Sequence, residues 1–562
     1  MPNLKQSSRF IVSGLAGMLF AVAFPKFNLP LFAWLAPGIV LGLSHRPTGK
    51  GVFLHGFLSG LGCWLVMFYW LLLIPFHFYG LVAFLGQASV GAAYMGLWCW
   101  LCWRLWPARN RPGVDLAGQW HALSPAKKLA WPLGCAVAWV ATEMTLIRVL
   151  TGFPGYLGAS QFRWLGLIQI CDCTGIYGVS FLMVWLSVSG FCVVLAGLAE
   201  KDRPGTWLLP VLPPLLLLIG VLAYGRYELS GGDDCVRHYK IALVQPAIPQ
   251  KMIWDANEKT NRFNKLMEMS QAALEQKPDL LIWPETALPE MITRNQFTQD
   301  AIVNLLHSHK TWMLFGASDY EAHPDANGVK VTEWFNGAFL INPAGEMVGR
   351  YHKRHLVPFG EFMPGAHWFP WLARFRAAGA GLTPGGRPGL LYATDPRANF
   401  STLICYEDLF PQEVREGQNQ DTDFLVNITN DGWFGDSAAQ WLHLVDALFR
   451  SVELHLPLVR CCNNGITCWI DARGGLHNVY FPGSNNEYQS GYKLIEVPLA
   501  SSQPTYRPTF YRLNGDVFGW SCVLLTTGLV LFQLGNREAK TMAGSGQPQR
   551  GRKSKVAKVM AD

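Results

Sequence analysis

Seven apolar runs follow one another in the first 225 residues, and an eighth lies near the C-terminus. Several approach the ~20 residues that cross a bilayer as an α-helix, so the pattern predicts a multi-pass membrane protein. Composition agrees, because 50% of the 562 residues are hydrophobic and only 15% are charged, against ~25% charged in soluble domains. The runs cover about 10–25, 29–44, 52–76, 80–106, 129–150, 174–199, 206–224 and 516–534.

The character of the chain changes between residues 226 and 512, where charges are frequent and apolar runs shorten to strand length. We predict eight strands there, alternating with helices, and hence a layered α/β domain. The predicted organisation is therefore seven spans in 1–225, a globular domain in 226–512 and an eighth span in 513–536. A basic tail, 537–562, closes the chain, and its Gly, Ser and Gln content is typical of disorder.

Lysine and arginine are distributed unequally between the short segments that join the apolar runs. If the runs alternate in direction, the basic segments fall before span one and after spans two, four, six and eight. The opposite short loops carry little more than Lys26 and Arg163. Basic loops stay in the cytoplasm, so we expect both termini to be cytoplasmic and the globular domain to be extracytoplasmic.

Three segments of the globular domain carry reactive side chains, and in two of them the side chain follows an apolar strand. Glu285 follows Leu281-Ile282-Trp283-Pro284, and Cys405 follows Thr402-Leu403-Ile404. Lys353 lies in the third segment, a basic cluster of histidines, lysine and arginine. Taken singly, each has an ordinary explanation: a turn or cap glutamate, a solvated lysine, a core cysteine.

In this order the three residues resemble the Glu–Lys–Cys triad of the nitrilase superfamily. The flanking residues fit as well: Val244-Gln245-Pro246 resembles the first core strand, Asn336 lies on the strand before Lys353, and 427–434 reads Asn-Ile-Thr-Asn-Asp-Gly-Trp-Phe. Seven spans, such a domain and a last span together resemble the apolipoprotein N-acyltransferase family. The resemblance implies an α-β-β-α sandwich outside a bacterial inner membrane, in the periplasm.

The chemistry of the triad follows from the residue types. A thiol with a pKa near ~8.5 is mostly protonated at neutral pH, so Glu285 is expected to take the proton of Cys405 as general base. The charge of Lys353 would favour the thiolate and then the oxyanion. The N–H of Tyr406 is a candidate second oxyanion donor. Glu361 and Glu407 are candidate supporting groups that orient Lys353 and the incoming amine, or plain salt-bridge residues.

The family resemblance also implies the substrates. Cys405 would take an acyl chain from the sn-1 ester of a phospholipid and pass it to the N-terminal α-amine of a diacylglyceryl-cysteine on an apolipoprotein. Both substrates keep their acyl chains in the bilayer. The aromatic stretch after Glu361 is therefore a candidate lid at the membrane surface, or ordinary loop packing. Its candidate residues are Trp368, Phe369 and Trp371, and Trp254 is a candidate lining residue.

Several other functions and sites compete with this interpretation. A membrane-anchored amidase or nitrilase for a small C–N substrate shares the triad, whereas a transporter or scaffold would not need one. Ala21-Val22-Ala23 resembles a signal-peptide cleavage site, but spans follow it at once. We expect no cofactor, no nucleic-acid partner and no metal, since His352, His355 and His367 fit a loop better than a ligand set. Glu143 and Arg148, in span five, would pair, line a polar path or, for Arg148, reach outward.

Overall fold

The computed structural model describes residues 6–109, 114–149, 153–200, 206–231, 235–288, 295–324, 328, 330–366, 368–375, 381–500 and 508–545. Ten helices precede the first strand, and five of them are long and apolar enough to cross a membrane. The ten are α1 (Gln6–Ala21), α2 (Leu31–Ser44), α3 (Gly49–Met67), α4 (His77–Leu105), α5 (Leu116–His121), α6 (Pro125–Val149), α7 (Leu165–Ile168), α8 (Cys171–Thr174), α9 (Tyr177–Ala199) and α10 (Leu212–Ser230).

The globular domain follows, and after it a further membrane-length helix. Its elements are β1 (Cys235–Gln245), α11 (Gln250–Ile253), α12 (Lys259–Leu274), β2 (Leu280–Ile282), α13 (Gln296–His309), β3 (Trp312–Pro324), β4 (Lys330–Ile341), β5 (Met347–His352), β6 (Leu390–Thr394), β7 (Arg397–Ile404), α14 (Pro411–Glu416), β8 (Phe424–Thr429), α15 (Ala439–Leu454), β9 (Leu458–Cys462), β10 (Cys468–Ile470), β11 (Leu476–His477), β12 (Gly491–Ala500), α16 (Phe510–Asn514) and α17 (Val517–Ser545).

The apolar helices agree with the eight runs expected from the sequence. Six of them meet the length and hydropathy of a membrane span, namely α3, α4, α6, α9, α10 and α17. Helices α1 and α2 are equally apolar but have only 16 and 14 residues. Leucines on α10 and α17 remain exposed, as expected for helix faces that meet lipid rather than protein. Helix α17 continues past the predicted end of the last span, and residues 546–562 of the basic tail lie outside the described residues.

The domain contains two six-stranded sheets that pack face to face. Their strand orders are β12-β1-β2-β3-β4-β5 and β11-β10-β9-β8-β7-β6. The inner faces bury one apolar cluster, which includes Ile241 and Leu314 from the first sheet and Phe400 and Val426 from the second. The outer face of the first sheet buries another cluster under α12 and α13. The predicted α-β-β-α sandwich is thus confirmed.

Helix α15 forms the contact layer between the second sheet and the membrane helices. All but one of its sixteen residues are fully buried, although its sequence contains Asp446, Arg450 and Glu453. Its apolar residues belong to the same cluster as the core of the membrane helices. An amphipathic helix usually keeps a solvated face, so the burial of α15 on every side means that domain and membrane helices pack as one body there.

An aromatic cluster extends this junction toward the loops of the globular domain. Trp70, after α3, packs against Phe153, after α6, and against Phe434 of the domain, with ring centroids 4.7 Å apart in both pairs. At the edge of the junction Lys26, after α1, forms an ion pair of 2.7 Å with Asp436. These contacts establish which end of the membrane helices faces the domain.

Candidate active site

Cys405 lies at the sharp turn that ends β7. Strand β7 pairs in parallel with β8, and β8 with β9, so the turn is at the carboxyl edge of a parallel sheet, where functional groups concentrate in α/β folds. The φ angle of Cys405 is 56°, in the left-handed region that non-glycine residues rarely occupy. Asn427, on β8, donates from Nδ2 to the Cys405 carbonyl over 2.7 Å and so holds the turn. The side chain of Cys405 is half-buried.

Glu285 comes to the same place from the other sheet. It follows β2 through Trp283 and Pro284 and is 7% exposed. The Asn336 amide, on β4, donates to Glu285 Oε1 over 2.8 Å, and the Glu285 carboxylate lies close enough to the Cys405 thiol to raise its pKa. A Cβ at Gly316 of β3 would lie 2.7 Å from the Cα of Glu285, so only glycine leaves room for the turn. Glu285 is therefore held in place beside the thiol.

Lys353 follows β5 directly and completes the group. Its ammonium is 1% exposed and lies 2.9 Å from Glu361 Oε1 and 3.6 Å from Glu285 Oε1. The Lys353 N–H donates to the Asn336 carbonyl over 2.8 Å. Asn336 thus positions both the lysine, through its backbone, and Glu285, through its side chain.

The charges of the three residues are coupled. Burial raises the pKa of Cys405, the carboxylate of Glu285 raises it further, and the Lys353 charge opposes both. Burial also raises the pKa of Glu285, while Lys353 lowers it. For Lys353 burial lowers the pKa, but the negative charges of Glu361, Cys405 and Glu285 outweigh it and raise the pKa well above its usual value. Burial and Glu285 thus favour the thiol form of Cys405, whereas the Lys353 ammonium favours the thiolate.

Glu407 hydrogen-bonds both to the loop after Lys353 and to the turn of Cys405. Its carboxylate accepts the backbone N–H groups of Ile404, Arg354 and His355 over 2.7, 2.7 and 3.1 Å. The Tyr351 hydroxyl donates to it over 2.9 Å. Burial raises the pKa of Glu407 to about 7, against these N–H donors, which lower it. Its contacts join two backbone segments, whereas the contact with the ammonium of Lys353 is made by Glu361.

Tyr406 lies against Lys353 from the other side. The ammonium is 5.2 Å from the centre of the Tyr406 ring, a cation–π distance. The Tyr406 hydroxyl donates to the Leu356 carbonyl over 2.5 Å. The ring is therefore fixed as a wall of the lysine site, and the use of its N–H in an oxyanion site stays a prediction.

A buried network of charges lies behind the Cys405 turn, and the sequence reasoning missed its two cations. Asn427 donates to Asp408 over 2.7 Å, and Arg460 and His443 donate to the same carboxylate over 2.9 and 2.8 Å. Asp431 accepts from His443 and Arg460 as well, over 2.8 Å each. The signal in the sequence was a charge inside an apolar strand, Leu458-Val459-Arg460, since arginine is buried only when it is paired.

The candidate lid and lining residues lie at the surface. Trp254 stacks between Phe76, beside α4, and Trp433 of the domain, with both ring distances 5.3 Å. Trp368 is 77% exposed, and Phe369 and Trp371 are each 56% exposed. The aromatic stretch begins directly after Glu361, so it joins the lysine site to the protein surface.

The remaining polar residues named from the sequence have ordinary partners. Glu143 accepts the N–H of Leu157 over 2.8 Å, and Arg148 pairs with Asp516 over 2.9 Å. His352 contacts Asp319 over 2.8 Å and His355 contacts Glu413 over 2.6 Å. His367 lies outside the described residues.

One group of metal-ligand type lies away from the catalytic site. Ligand-type atoms of Asp172, Glu228 and His455 are within 4.8 Å of one another. Asp172 already accepts the hydroxyl of Tyr224. His455 Nε2 lies 3.8 Å from the same carboxylate.

Similarity to known proteins covers both the membrane helices and the globular domain. Residues 240–541 match the family model for carbon-nitrogen hydrolase, and residues 16–189 match the model for the apolipoprotein N-acyltransferase N-terminal domain. A protein of Geobacter metallireducens named apolipoprotein N-acyltransferase is 32% identical over 532 residues, which are 93% of this chain and 95% of that protein. Its namesake in Bradyrhizobium diazoefficiens is 30% identical over 568 residues, covering 95% and 96%. An amidase from Nesterenkonia sp. is 17% identical over 47% of this chain and 92% of that one, with a TM-score of 0.33.

Proposed function

The chain belongs to the apolipoprotein N-acyltransferase family, and from that premise we propose that Glu285, Lys353 and Cys405 catalyse acyl transfer from a phospholipid to a lipoprotein. The observation that carries this proposal is that the Glu285 carboxylate and the Lys353 ammonium lie 3.6 Å apart and close enough to Cys405 for both to shift the pKa of its thiol. Homologues that carry the family name are similar over nearly the whole chain, membrane helices included. The acceptor is accordingly the N-terminal α-amine of a diacylglyceryl-cysteine.

The first half-reaction moves the acyl chain to the enzyme. Glu285 takes the thiol proton as the Cys405 sulfur attacks the carbonyl carbon of the sn-1 ester, and the Lys353 ammonium stabilises the oxyanion. The bond from that carbon to the glycerol oxygen then breaks, and Glu285 returns the proton to this oxygen. The products are a lysophospholipid and a thioester on Cys405.

The second half-reaction uses the same groups in the opposite direction. The lipoprotein α-amine attacks the thioester carbonyl while Glu285 accepts a proton from the nitrogen. The carbon–sulfur bond breaks, an amide remains on the lipoprotein, and the proton passes to the sulfur of Cys405. Because the two substrates occupy the site in turn, the kinetics are ping-pong, and water must be kept from the thioester.

The placement of the domain supports this chemistry. We place the membrane helices in 1–225, the catalytic domain in 226–512 and the last span in 513–536, and the described helices up to Ser230, the two sheets and α17 support this division. Lys and Arg cluster in the segments away from the domain, so the domain is periplasmic and both termini are cytoplasmic. The membrane is the bacterial inner membrane, where both lipid-anchored substrates reach the site laterally.

The aromatic stretch gives the site its route to lipid. Trp368, Phe369 and Trp371 are exposed although large and apolar, as in residues that sit at a membrane surface. They follow Glu361, which contacts the catalytic lysine. Trp254 lies between the domain and the start of α4, where an acyl chain would leave the bilayer.

The experiment that tests the proposal is intact mass spectrometry after incubation with phospholipid. Wild-type protein should gain one acyl chain that hydroxylamine removes, and Cys405→Ala should gain none. A diacylated lipopeptide should then discharge the acyl group and itself become triacylated. If no acyl group appears on Cys405, or if only water and small amides accept it, the amidase function replaces this one.

A further inference from the structure

A polar cavity lies at the end of the membrane helices away from the catalytic domain. It has a volume of about 280 Å³ and lies among Arg9 of α1, Leu43 of α2, the following residues His45 and Arg46, and Leu116 of α5. The other end of α1 leads to Lys26, which contacts the domain. Twelve residues of helix, roughly 18 Å, separate Arg9 from the domain-facing end of α1, so the cavity faces the opposite leaflet.

Positive charge is concentrated in this cavity. None of the described residues that line it is acidic. The guanidinium of Arg46 donates to the His45 carbonyl over 2.5 Å and lies 3.3 Å from Nδ1 of His55, two neutral partners. Burial lowers the pKa of Arg46, and the charge of Arg9 lowers it further. Two like charges are thus held together in a site partly removed from water, an arrangement that an anion would stabilise.

The short helix α2 places these charges at the depth of lipid phosphates. With 14 residues it is about 21 Å long, less than the ~30 Å of a hydrocarbon core. The domain-facing ends of α1 and α2 are joined near the opposite surface, and Arg9 lines the same cavity as Arg46, so the arginines do not reach far beyond the apolar layer. Lipid headgroups, or water carrying anions, must therefore reach inward to meet them.

We propose that this cavity binds a phosphate group, presented by an anionic phospholipid headgroup of the leaflet opposite the catalytic domain. Arginine matches phosphate oxygens through paired N–H donors, and basic pockets between membrane helices are suited to anionic headgroups. The volume is several times the ~30 Å³ that one water occupies in the liquid, enough for a phosphate and part of the glycerol. Leu43 and Leu116 would pack against the start of the acyl chains.

The test uses full-length protein, stripped of lipid in detergent, and native mass spectrometry. The probe is phosphatidylglycerol with ether-linked chains, which the enzyme cannot transfer, beside ether-linked phosphatidylcholine as the zwitterionic comparison. Wild-type protein should bind one more phosphatidylglycerol than Arg9→Gln/Arg46→Gln, with an apparent affinity at least tenfold higher. Lys50→Gln/Lys127→Gln is the matched control, because it removes two exposed charges outside the cavity and should bind like the wild type.

A second arm distinguishes lipid from free phosphate. If inorganic phosphate alone raises the thermal midpoint of the wild type but not of the double variant, the anion site holds and its ligand is soluble. Leu43→Trp, which fills the cavity without removing a charge, should lose the ligand too, and it serves if the double variant does not fold. The proposal fails if wild type, double variant and control bind phosphatidylglycerol equally and none responds to phosphate.

Discussion

His443 Nε2 lies 2.8 Å from Asp408 Oδ1, and both side chains are fully buried behind the catalytic turn. The other ring nitrogen of His443 lies 2.8 Å from Asp431. A carboxylate only accepts hydrogen bonds, so the two carboxylates favour an imidazolium with hydrogen on both nitrogens, against the Arg460 guanidinium, which lies 2.9 Å from Nδ1. Asp408 in turn accepts from Asn427, which holds the Cys405 carbonyl. The charge of His443 is thereby connected to the conformation of the Cys405 turn.

We expect stability to depend on pH through His443. Burial and Arg460 lower the pKa of His443, but Asp408 and Asp431 outweigh them and raise it to about 9, against ~6.5 in the unfolded chain. The stabilisation, on the order of 3 kcal/mol, is complete below pH 6.5 and is lost as pH rises through 9. His443→Gln should therefore lower the thermal midpoint most near pH 6.5 and least above pH 9.

The measurement is a set of thermal melts between pH 6 and 9.5. His307→Gln is the control, because His307 is exposed on α13, and its midpoints should follow the wild type throughout. Parallel curves for His443→Gln and wild type would show that the imidazole is not charged in the folded protein. The rate of acyl-enzyme formation should fall together with the thermal midpoint, since the network positions the turn of Cys405.

Glu285→Gln should abolish acylation while keeping the shape of the site. Glutamine can accept the hydrogen bond of Asn336 but cannot take a proton from Cys405, so acyl-enzyme formation should fall by about 10²-fold or more. In the wild type, the acylation rate should rise with pH as Glu285 loses its proton. Because burial raises the pKa of Glu285, the midpoint of this rise should lie above the ~4.3 of an unperturbed glutamate. Intact mass measured against time gives the rate. Acylation of Glu285→Gln at the wild-type rate would contradict the role of base, and exposed Glu268 is the matched control.

Glu407→Gln should weaken the site and remove a titration near pH 7, because burial raises the pKa of Glu407 to about 7. Each oxygen of Glu407 accepts at least one backbone N–H, so an amide nitrogen in place of either oxygen faces a donor. Loss of a buried hydrogen bond of this kind costs about 1–3 kcal/mol, and the thermal midpoint and acylation rate should fall together. Glu275→Gln changes an exposed carboxylate on the same domain and should alter neither. A normal midpoint with lost activity would instead point to direct contact with substrate.

Much of the fold could be predicted from the sequence, because the apolar runs that indicate strands are local features. The eight predicted strands, from 240–245 to 466–470, all coincide with described strands, since each is an apolar run buried on both faces. The strands β5, β6, β11 and β12 were missed. They lie at or near sheet edges, where polar residues interrupt the apolar pattern, as in Met347–His352.

The site followed from the sequence only in part, because its residues meet through tertiary contacts. The order of Glu285, Lys353 and Cys405 in the sequence resembles that of the family's triad, which predicts that the three residues meet. Asn336 was predicted on the strand before the lysine. Nothing local indicates that His443, on a helix, and Arg460, on a strand, share two carboxylates. Such a network is visible only when the parallel strands β7, β8 and β9 are placed side by side.

Replacement of the exposed tryptophans should separate lipid substrates from soluble ones. If Trp368 and Trp371 insert at the membrane surface beside the active site, the double variant Trp368→Ala/Trp371→Ala should reduce acylation by phospholipid at least tenfold. Acylation by a water-soluble short-chain ester should stay the same, since the triad is unchanged. Phe297→Ala is the matched control, because Phe297 is 74% exposed on α13, outside the aromatic stretch.

Comparison of the phospholipid with the soluble ester separates a role of the aromatic stretch in lipid contact from its other roles. A fall with both would mean that the aromatic stretch supports the loop of Glu361, and hence Lys353, rather than the contact with lipid. No fall with either would mean that acyl chains enter elsewhere, with Trp254 as the next residue to replace. Only a selective loss with phospholipid fits an interfacial role, because burial of aromatic rings in the bilayer contributes nothing when the acyl donor is dissolved in water.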